Sequence, residues 1–511
     1  MALPEQRGEE WGIQNVVLEG GLYLDRDTVW QATQMPGSAT KLVNFEPSLD
    51  GGYHRILGYS LFDTHQLPHG ASQVFGAIVN FIDSTVVAMQ AGDTYTSSGS
   101  GWTKINSTDN HAAMGKVDWT FYSWATNRMA WVDGDPNAYP IRIEAGGAYT
   151  ILNNAPKGQK YIQEFSGYLF MTAGDGNLTF SAPQSDNDYN AGDGAGQINV
   201  GFPIIGLGVW RGALYILGQN KIAQVTGTSA ADWTVTPLTD DVGMIAPYTL
   251  QEVNGDLIFL SQDGLRTISG TARIFDRELG VISRPINSAL LPMGASNWTS
   301  VPIRNKSQYR LLQGTSGTAQ STASGIIGTL RLQTNGSTAW EWAETEGILV
   351  SCASSGLLNN VETVVHGAWD GYIYQEESGT TFNGSSINAL YQTPYLVFND
   401  SGVRKVLRKL QLDARSTGAA TINLGVIFDY NDPTTALPTG ISLPIAGGSA
   451  TWDDGETWDE SGVFWDITPD VRIKSYLIGS GFNASLVFAS NGGADYSIQA
   501  YSVQFSIGAR R

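Results

Sequence analysis

The chain has 511 residues, enough for two or three domains or for one large β-architecture with an appendage. Its formal net charge of −19 argues against wrapping a phosphate backbone, because affinity for nucleic acid comes chiefly from clustered Lys and Arg, while contact with DNA as a smooth, repelling wall stays compatible with it. The single cysteine, Cys352, excludes an intramolecular disulfide framework, so burial and strand pairing must hold the fold.

Composition sets the class. The chain holds 60 Gly, 15 Trp, 21 Tyr and 18 Phe, with 15% charged residues. Against a usual charged share of about 25%, this describes many short aromatic strands joined by tight turns, an all-β chain. The opening MALPEQRGEEWGIQ has no basic stretch leading into an apolar one, and no apolar run of membrane-spanning length follows, which predicts a soluble chain made in the cytoplasm without Sec export.

Residues 1–73 form an N-terminal segment expected to supply strands that close a ring by pairing with its last blade. From residue 74 the sequence falls into units of roughly 30 to 45 residues, the spacing of propeller blades. Val74–Ile105 alternates apolar and polar positions, broken at Asp83–Ser84, at Gly92–Asp93 and between Gly99 and Gly101. Trp119–Leu152 repeats that rhythm, and Tyr161–Ala182, Ile204–Gly227 and Tyr248–Gly270 each pair an inner strand with a Gly-bearing turn and an apolar second strand such as ALYIL or DLIFL. Weaker units follow at Asn297–Glu346 and Gly347–Thr381. The count predicts a β-propeller-like body of seven or eight blades over 74–383. Helix is nearly absent; RPINSALLPM (Arg284–Met293) is the best short candidate, with Pro285 suited to a first turn and Pro292 to a stop. VRKVLRKLQLDAR (Val403–Arg415) fits either a helical stripe or a strand, and its surroundings favour strand. After the polar TTFNGSSIN (Thr380–Asn388), residues 384–511 show a different strand pattern and read as a separate C-terminal β-sandwich or barrel.

Several motifs carry potential chemistry. TWDDGETWDE (Thr451–Glu460) fits the Asp-box pattern Ser/Thr-x-Asp-x-Gly-x-Thr-Trp known from sialidase propellers, and it occurs once, outside the repeated region. Its Asp and Gly-containing turn satisfy their own backbone while Trp packs beneath, so it reads as a stabilising hairpin, with Asp453, Asp454, Glu456, Asp459 and Glu460 a solvated cluster before they are a calcium site. DGDPNAYPIRIE places Asp133, Asp135, Asn137 and Glu144 at positions 1, 3, 5 and 12 of an EF-hand-like loop, but Ala138 replaces the turn glycine, Pro136 and Pro140 stiffen it, and no helices flank it.

His65 and His69 are four apart, yet Pro68 forbids the helix that would aim both at one metal. There is no G-x-S-x-G elbow, and His54, His111 and His366 lack an obvious partner. GLGVWRG (Gly206–Gly212) misses a dinucleotide loop by the position of its third glycine. The basic run Arg404, Lys405, Arg408, Lys409 and Arg415 reads as a charged edge strand or as a docking surface for an acidic partner or a neighbouring subunit. No catalytic, cofactor or metal residues are nominated.

Three stretches together resemble the tail-hub or nozzle proteins of short-tailed bacteriophages, the group labelled phage stabilisation or tail tubular B proteins. They are MPGSATKLVNFEPSLDGGYHRILGY (Met35–Tyr59), DGLRTISGTARIFDRELGVISRPIN (Asp263–Asn287), and the terminal TPYLVFNDSGVRKVLRKLQLDA with YSIQAYSVQFSIGARR. The resemblance implies a propeller-like body, a ring that is usually a hexamer, attachment below the portal and adaptor proteins beside other tail or fibre proteins, and an acidic channel through which genomic DNA passes and is gated before ejection. It implies a virion structural protein assembled in the host cytoplasm, with no enzymatic activity. Two other classes compete: a carbohydrate-binding propeller or glycosidase, prompted by the Asp-box, and a receptor-binding or fibre protein of the same virion.

Overall fold

The computed structural model describes residues 11–106, 111–273, 280–294, 297–314, 323–398, 400–431, 438–445 and 470–507. The chain is all-β, with 51% strand against 7% helix, and it divides into two compact units. One holds residues 59–325 and 347–377; the other joins residues 1–58, 326–346 and 378–511.

The first unit has a six-blade β-propeller arrangement, where the blade count from sequence had been seven or eight. Blade one runs Gly76–Asn80, Thr85–Gln90, Asp93–Ser97 and Thr103–Lys104, and blade two Asp118–Ser123, Asn127–Val132, Ile141–Glu144 and Ala148–Ile151. Blade three runs Tyr161–Phe165, Tyr168–Thr172, Asn177–Phe180 and Gly196–Asn199, and blade four Gly206–Trp210, Ala213–Leu217, Ile222–Thr226 and Thr234–Thr239. Blade five has three strands, Gln251–Val253, Asp256–Ser261 and Gly264–Thr267. Blade six takes Cys352–Leu358, Val361–Gly367 and Ile373–Glu376, and Tyr59–Leu61 adds a further strand in the register Tyr374↔Leu61 to Glu376↔Tyr59.

Local chemistry explains why the same hairpin recurs. The first two strands of blades three, four and five are joined by two residues that both have positive φ: Ser166–Gly167, Arg211–Gly212 and Asn254–Gly255. This left-handed pair matches the natural twist of antiparallel strands, and glycine at its second position avoids the Cβ penalty. In blade six Asn359–Asn360 makes the equivalent turn, Asn being the non-glycine residue that best tolerates this conformation.

The core sits between blades. Ile78, Val87 and Met89 of blade one pack with Met129, Trp131, Ile141 and Ile143 of blade two. Phe165, Phe170 and Phe180 of blade three pack with Leu214, Ile216 and Val225 of blade four. Val79, Val86 and Ala88 pack with Val365, Cys352 and Ile373, which brings blade six against blade one. The hairpin Trp298–Ile303 with Gln308–Gln313 packs beside the inner strands of blades five and six.

Of the two weaker units, Gly347–Thr381 holds the strands of blade six, while Asn297–Glu346 is not a blade: its strand Thr338–Glu346 pairs with Lys41–Val43 in the other unit. Alternation along a strand shows that it has a buried face; it does not show which sheet receives it.

The second unit contains two sheets. One orders Phe45–Pro47, Tyr53–Arg55, Tyr496–Ile507, Lys405–Ser416 and Asp470–Tyr476, with Trp11–Val17 also on Tyr496–Ile507. The other orders Thr338–Glu346, Lys41–Val43, Asn388–Gln392, Ala484–Asn491, Ala420–Phe428 and Ile441–Ile445. Facing aromatics join them: Tyr53 lies 5.1 Å from Tyr391, and Phe488 lies 5.9 Å from Tyr501 between ring centroids. Residues 384–511 therefore do not fill this unit alone, since strands from the N-terminal segment and from 326–346 complete its sheets. Arg284–Met293 is helical in three short pieces, Arg284–Ile286, Asn287–Leu290 and Leu291–Met293, and Lys405–Ser416 is strand. Thr28–Gln34 is an α-helix that the apolar pattern did not suggest; Asp27 caps it by accepting the N–H of Val29 and of Trp30, each at 3.0 Å.

Candidate functional site

Polar chemistry in the propeller gathers at the start of its inner strands. Asp118, Tyr161, Gly206, Gln251 and Cys352 are each the first residue of such a strand, and Thr299 is the second of Trp298–Ile303. Together with Lys116, Trp119, Gln163, Tyr248 and Ser300 they line a central cavity of about 220 Å³, whose apolar wall includes Leu207, Met244 and Leu250.

Lys116 crosses this space. Its Nζ donates to the carbonyl of Trp298 at 2.9 Å and to the hydroxyl of Thr299, and it lies 4.8 Å from the centroid of the Tyr248 ring. Tyr248 returns the contact, its hydroxyl donating to the Lys116 carbonyl at 2.7 Å. Lys116 and Tyr248 thus form a reciprocal strut between the approach to blade two and the approach to blade five. Burial lowers the Lys116 ammonium to about 8, opposed by the Cys352 thiol; the same burial raises Cys352 to about 11, which leaves it a protonated thiol and a poor nucleophile at neutral pH. Lys116 keeps part of its surface open because the cavity itself lies against it, deep inside the blade ring.

Asp118 accepts the backbone N–H of Ile162 at 2.8 Å. Burial pushes its carboxyl up to about 7, only partly countered by the backbone N–H groups of Ile162 and Trp119. Burial, then the nearby Asp118 charge, raises Tyr161 to about 12, and burial also raises Tyr248. The site offers hydrogen bonding and aromatic faces, with one carboxyl group that titrates near neutrality. Glycoside hydrolysis in its common form uses a pair of carboxyl groups across the bond, and Asp118 is the single carboxyl among the residues lining this cavity.

A second depression, of about 400 Å³, lies beside Val79, Phe81, Phe121 and Leu357. It is mainly apolar, and the one cation on its rim, Arg304, is bonded to Ser355 at 3.2 Å.

The sequence-derived candidates disperse. The Asp133 carboxylate meets the His111 ring at 2.7 Å, and Asp135 accepts the N–H groups of Ala113 and Asn137 at 2.6 and 2.9 Å. Glu144 instead pairs with Arg128 at 2.7 Å and Arg142 at 3.4 Å, so the four positions of the EF-hand-like spacing do not share one centre. His65 meets Asp63, and His69 meets Asp93, each at 2.8 Å. Among the described residues, no group of three or more His, Cys, Asp or Glu is arranged to hold a metal ion. GLGVWRG is the inner strand and turn of blade four. The Asp-box, Thr451–Glu460, lies outside the described residues.

The basic run departs from the edge-strand reading. Lys405–Ser416 is an interior strand, paired on one side with Tyr496–Ile507 and on the other with Asp470–Tyr476. Its charges are engaged locally: Lys405 donates to the carbonyls of Asp400 and Phe482, Arg415 pairs with Asp470 at 2.6 Å, and Arg408 lies 5.6 Å from the Trp11 ring.

Sequence reasoning missed the cavity because its members are unlike one another. Asp, Tyr, Gly, Gln and Cys occupy matching starts of inner strands, and only the closure of the ring converts those starts into one site.

The chain matches no family model and no curated protein. Solved structures give weak likenesses. A computationally designed protein, Ika8, aligns over 61% of this chain and 98% of its own at 13% identity and a TM-score of 0.33. Hsv2p of Kluyveromyces lactis aligns over 51% of this chain and 81% of its own at 8% identity and a TM-score of 0.29. A glycoside hydrolase family 43 arabinoxylan arabinofuranohydrolase of Bacillus subtilis aligns over 86% of this chain and 98% of its own at 10% identity and a TM-score of 0.25.

Proposed function

We propose that this chain is a structural subunit of a short-tailed bacteriophage virion, a tail hub or nozzle component that extends the DNA channel below the portal and adaptor. The observation that carries the proposal is how the resembling stretches are used. Met35–Tyr59 and the terminal stretches lie over 300 residues apart in sequence, yet they meet in one unit: Tyr53 and His54 pair with Ile498 and Ser497, and the Thr40 hydroxyl donates to the Thr393 carbonyl at 3.2 Å. Arg55 adds hydrogen bonds to the carbonyls of Gly493 at 2.8 Å and Ala494 at 3.0 Å. Asp263–Asn287 lies in the propeller unit, but the other resembling stretches jointly make one scaffold, which fits a shared architecture better than scattered short motifs would.

Charge supports the same reading. A ring of six chains would carry 6 × −19 = −114 formal charges, and a negative lumen lets a polyanion slide without sticking. In this reading the second unit is a β-sandwich that contacts neighbouring subunits or the adaptor, propeller loops facing the axis gate the DNA before ejection, and assembly takes place in the host cytoplasm.

Imaging the purified chain with its portal and adaptor partners tests the proposal. A ring on the tail axis is the expected result, and six subunits would match the resemblance. A strictly monomeric particle that never joins the ring would overturn it, and a trimer would favour the receptor-binding or fibre alternative. Turnover of a glycan abolished by one carboxyl substitution would favour the glycosidase alternative.

A further inference from the structure

We propose that the central cavity of the propeller binds a neutral polyol of monosaccharide size. This site is independent of the tail reading and rests on the lining of the cavity alone.

Size comes first. At about 220 Å³ the cavity is smaller than the 300–1,000 Å³ of pockets for drug-sized ligands, which suits a single sugar ring. Charge then narrows the chemistry. The Lys116 ammonium is already committed to the Trp298 carbonyl, the Thr299 hydroxyl and the Tyr248 ring, so it is not a free receptor for an anion. The same ammonium disfavours a second cation beside Tyr248.

What is left is neutral hydrogen-bonding capacity. Among the described residues, no protein partner meets the Tyr161 hydroxyl. Gln163 and Gln251 engage their amide nitrogens, with Gln251 donating to the Ser300 carbonyl at 3.2 Å, and each leaves its amide oxygen as an acceptor. The Asp118 carboxyl retains acceptor capacity beyond its bond from Ile162. Both donors and acceptors therefore lie around one volume, beside Tyr161 and the apolar wall of Leu207, Met244 and Leu250. A sugar ring presents the matching surface: hydroxyls that both donate and accept around its rim, and C–H groups that pack on apolar and aromatic side chains.

Saturation-transfer NMR on the full chain tests this, with glucose, galactose and N-acetylglucosamine as probes, and sodium acetate and phosphate as anionic comparators. At least one sugar should give a saturable signal. Gln251→Ala and the milder Tyr161→Phe, each first shown to keep the parent far-UV spectrum, should weaken it about 3- to 10-fold per lost hydrogen bond. Should one variant fail to fold, the other carries the test. No saturable sugar signal up to about 10 mM, a signal unchanged in the folded variants, or saturation by the anions alone would each overturn the proposal.

Discussion

His54 shows how far one residue's surroundings can shift its chemistry. Its Nε2 lies 3.0 Å from Asp495 and its Nδ1 3.7 Å from Glu46. Burial works against the imidazolium, but the neighbouring carboxylates of Asp495 and Glu46 outweigh it and lift the ring from 6.5 to about 9. A raised folded pKa stabilises fully below the unfolded value and fades as pH climbs through the folded one. Stability should therefore fall between about pH 6.5 and 9, by on the order of 2–3 kcal/mol, and His54→Gln should flatten that window in denaturant titrations. Asp118 has a raised pKa with no cation opposite it, so its neutral form is favoured in the fold and stability should decline as pH rises from about 4 to 7. Asp118→Asn keeps a carbonyl oxygen for the Ile162 N–H while removing the charge. It should raise the melting temperature at pH 8 and remove the slope between pH 4 and 7; a lower melting temperature at pH 8 would show that the ionised carboxylate is stabilising.

At the scale of elements, two glycines separate backbone strain from crowding. Gly255 closes the first hairpin of blade five with φ +74, and a Cβ there would meet nothing within 4 Å. Gly255→Ala should then cost only the left-handed conformation, about 1 kcal/mol in urea unfolding. Gly52 has φ +69 just before Tyr53–Arg55, and a Cβ would lie 2.1 Å from the Ile498 carbonyl oxygen. Gly52→Ala should therefore cost clearly more than Gly255→Ala, because a strand backbone must move as well. Equal losses would mean that the strand yields freely. Turns such as Asn254–Gly255 were legible in the sequence because their residue types follow from local conformation. The interior position of Lys405–Ser416 was not, since an amphipathic strand has the same pattern at an edge or between two partners.

For the whole molecule the dominant quantity is the charge of −19, which acts at long range and does not depend on any one contact. The purified chain should not retain duplex DNA in a mobility-shift assay at about 150 mM salt, where non-specific binding needs clustered cations to release counterions. Retention at that salt would remove the electrostatic support for a sliding channel. No helix among the described residues is long and apolar enough to cross a membrane.

Composition and local pattern by themselves determined the all-β class, the short helical stretch at Arg284–Met293 and the places of the first five blade units, because each follows from side-chain size, turn chemistry and alternation within a few residues. Tertiary structure alone decided the number of blades, the recruitment of 1–58 and 326–346 beside 378–511, and the cavity of Lys116, Asp118, Tyr161 and Tyr248. The reason is common to all three. Strand partnership is a long-range choice among many chemically similar edges, and a site made of one residue per strand exists only once those partners are chosen.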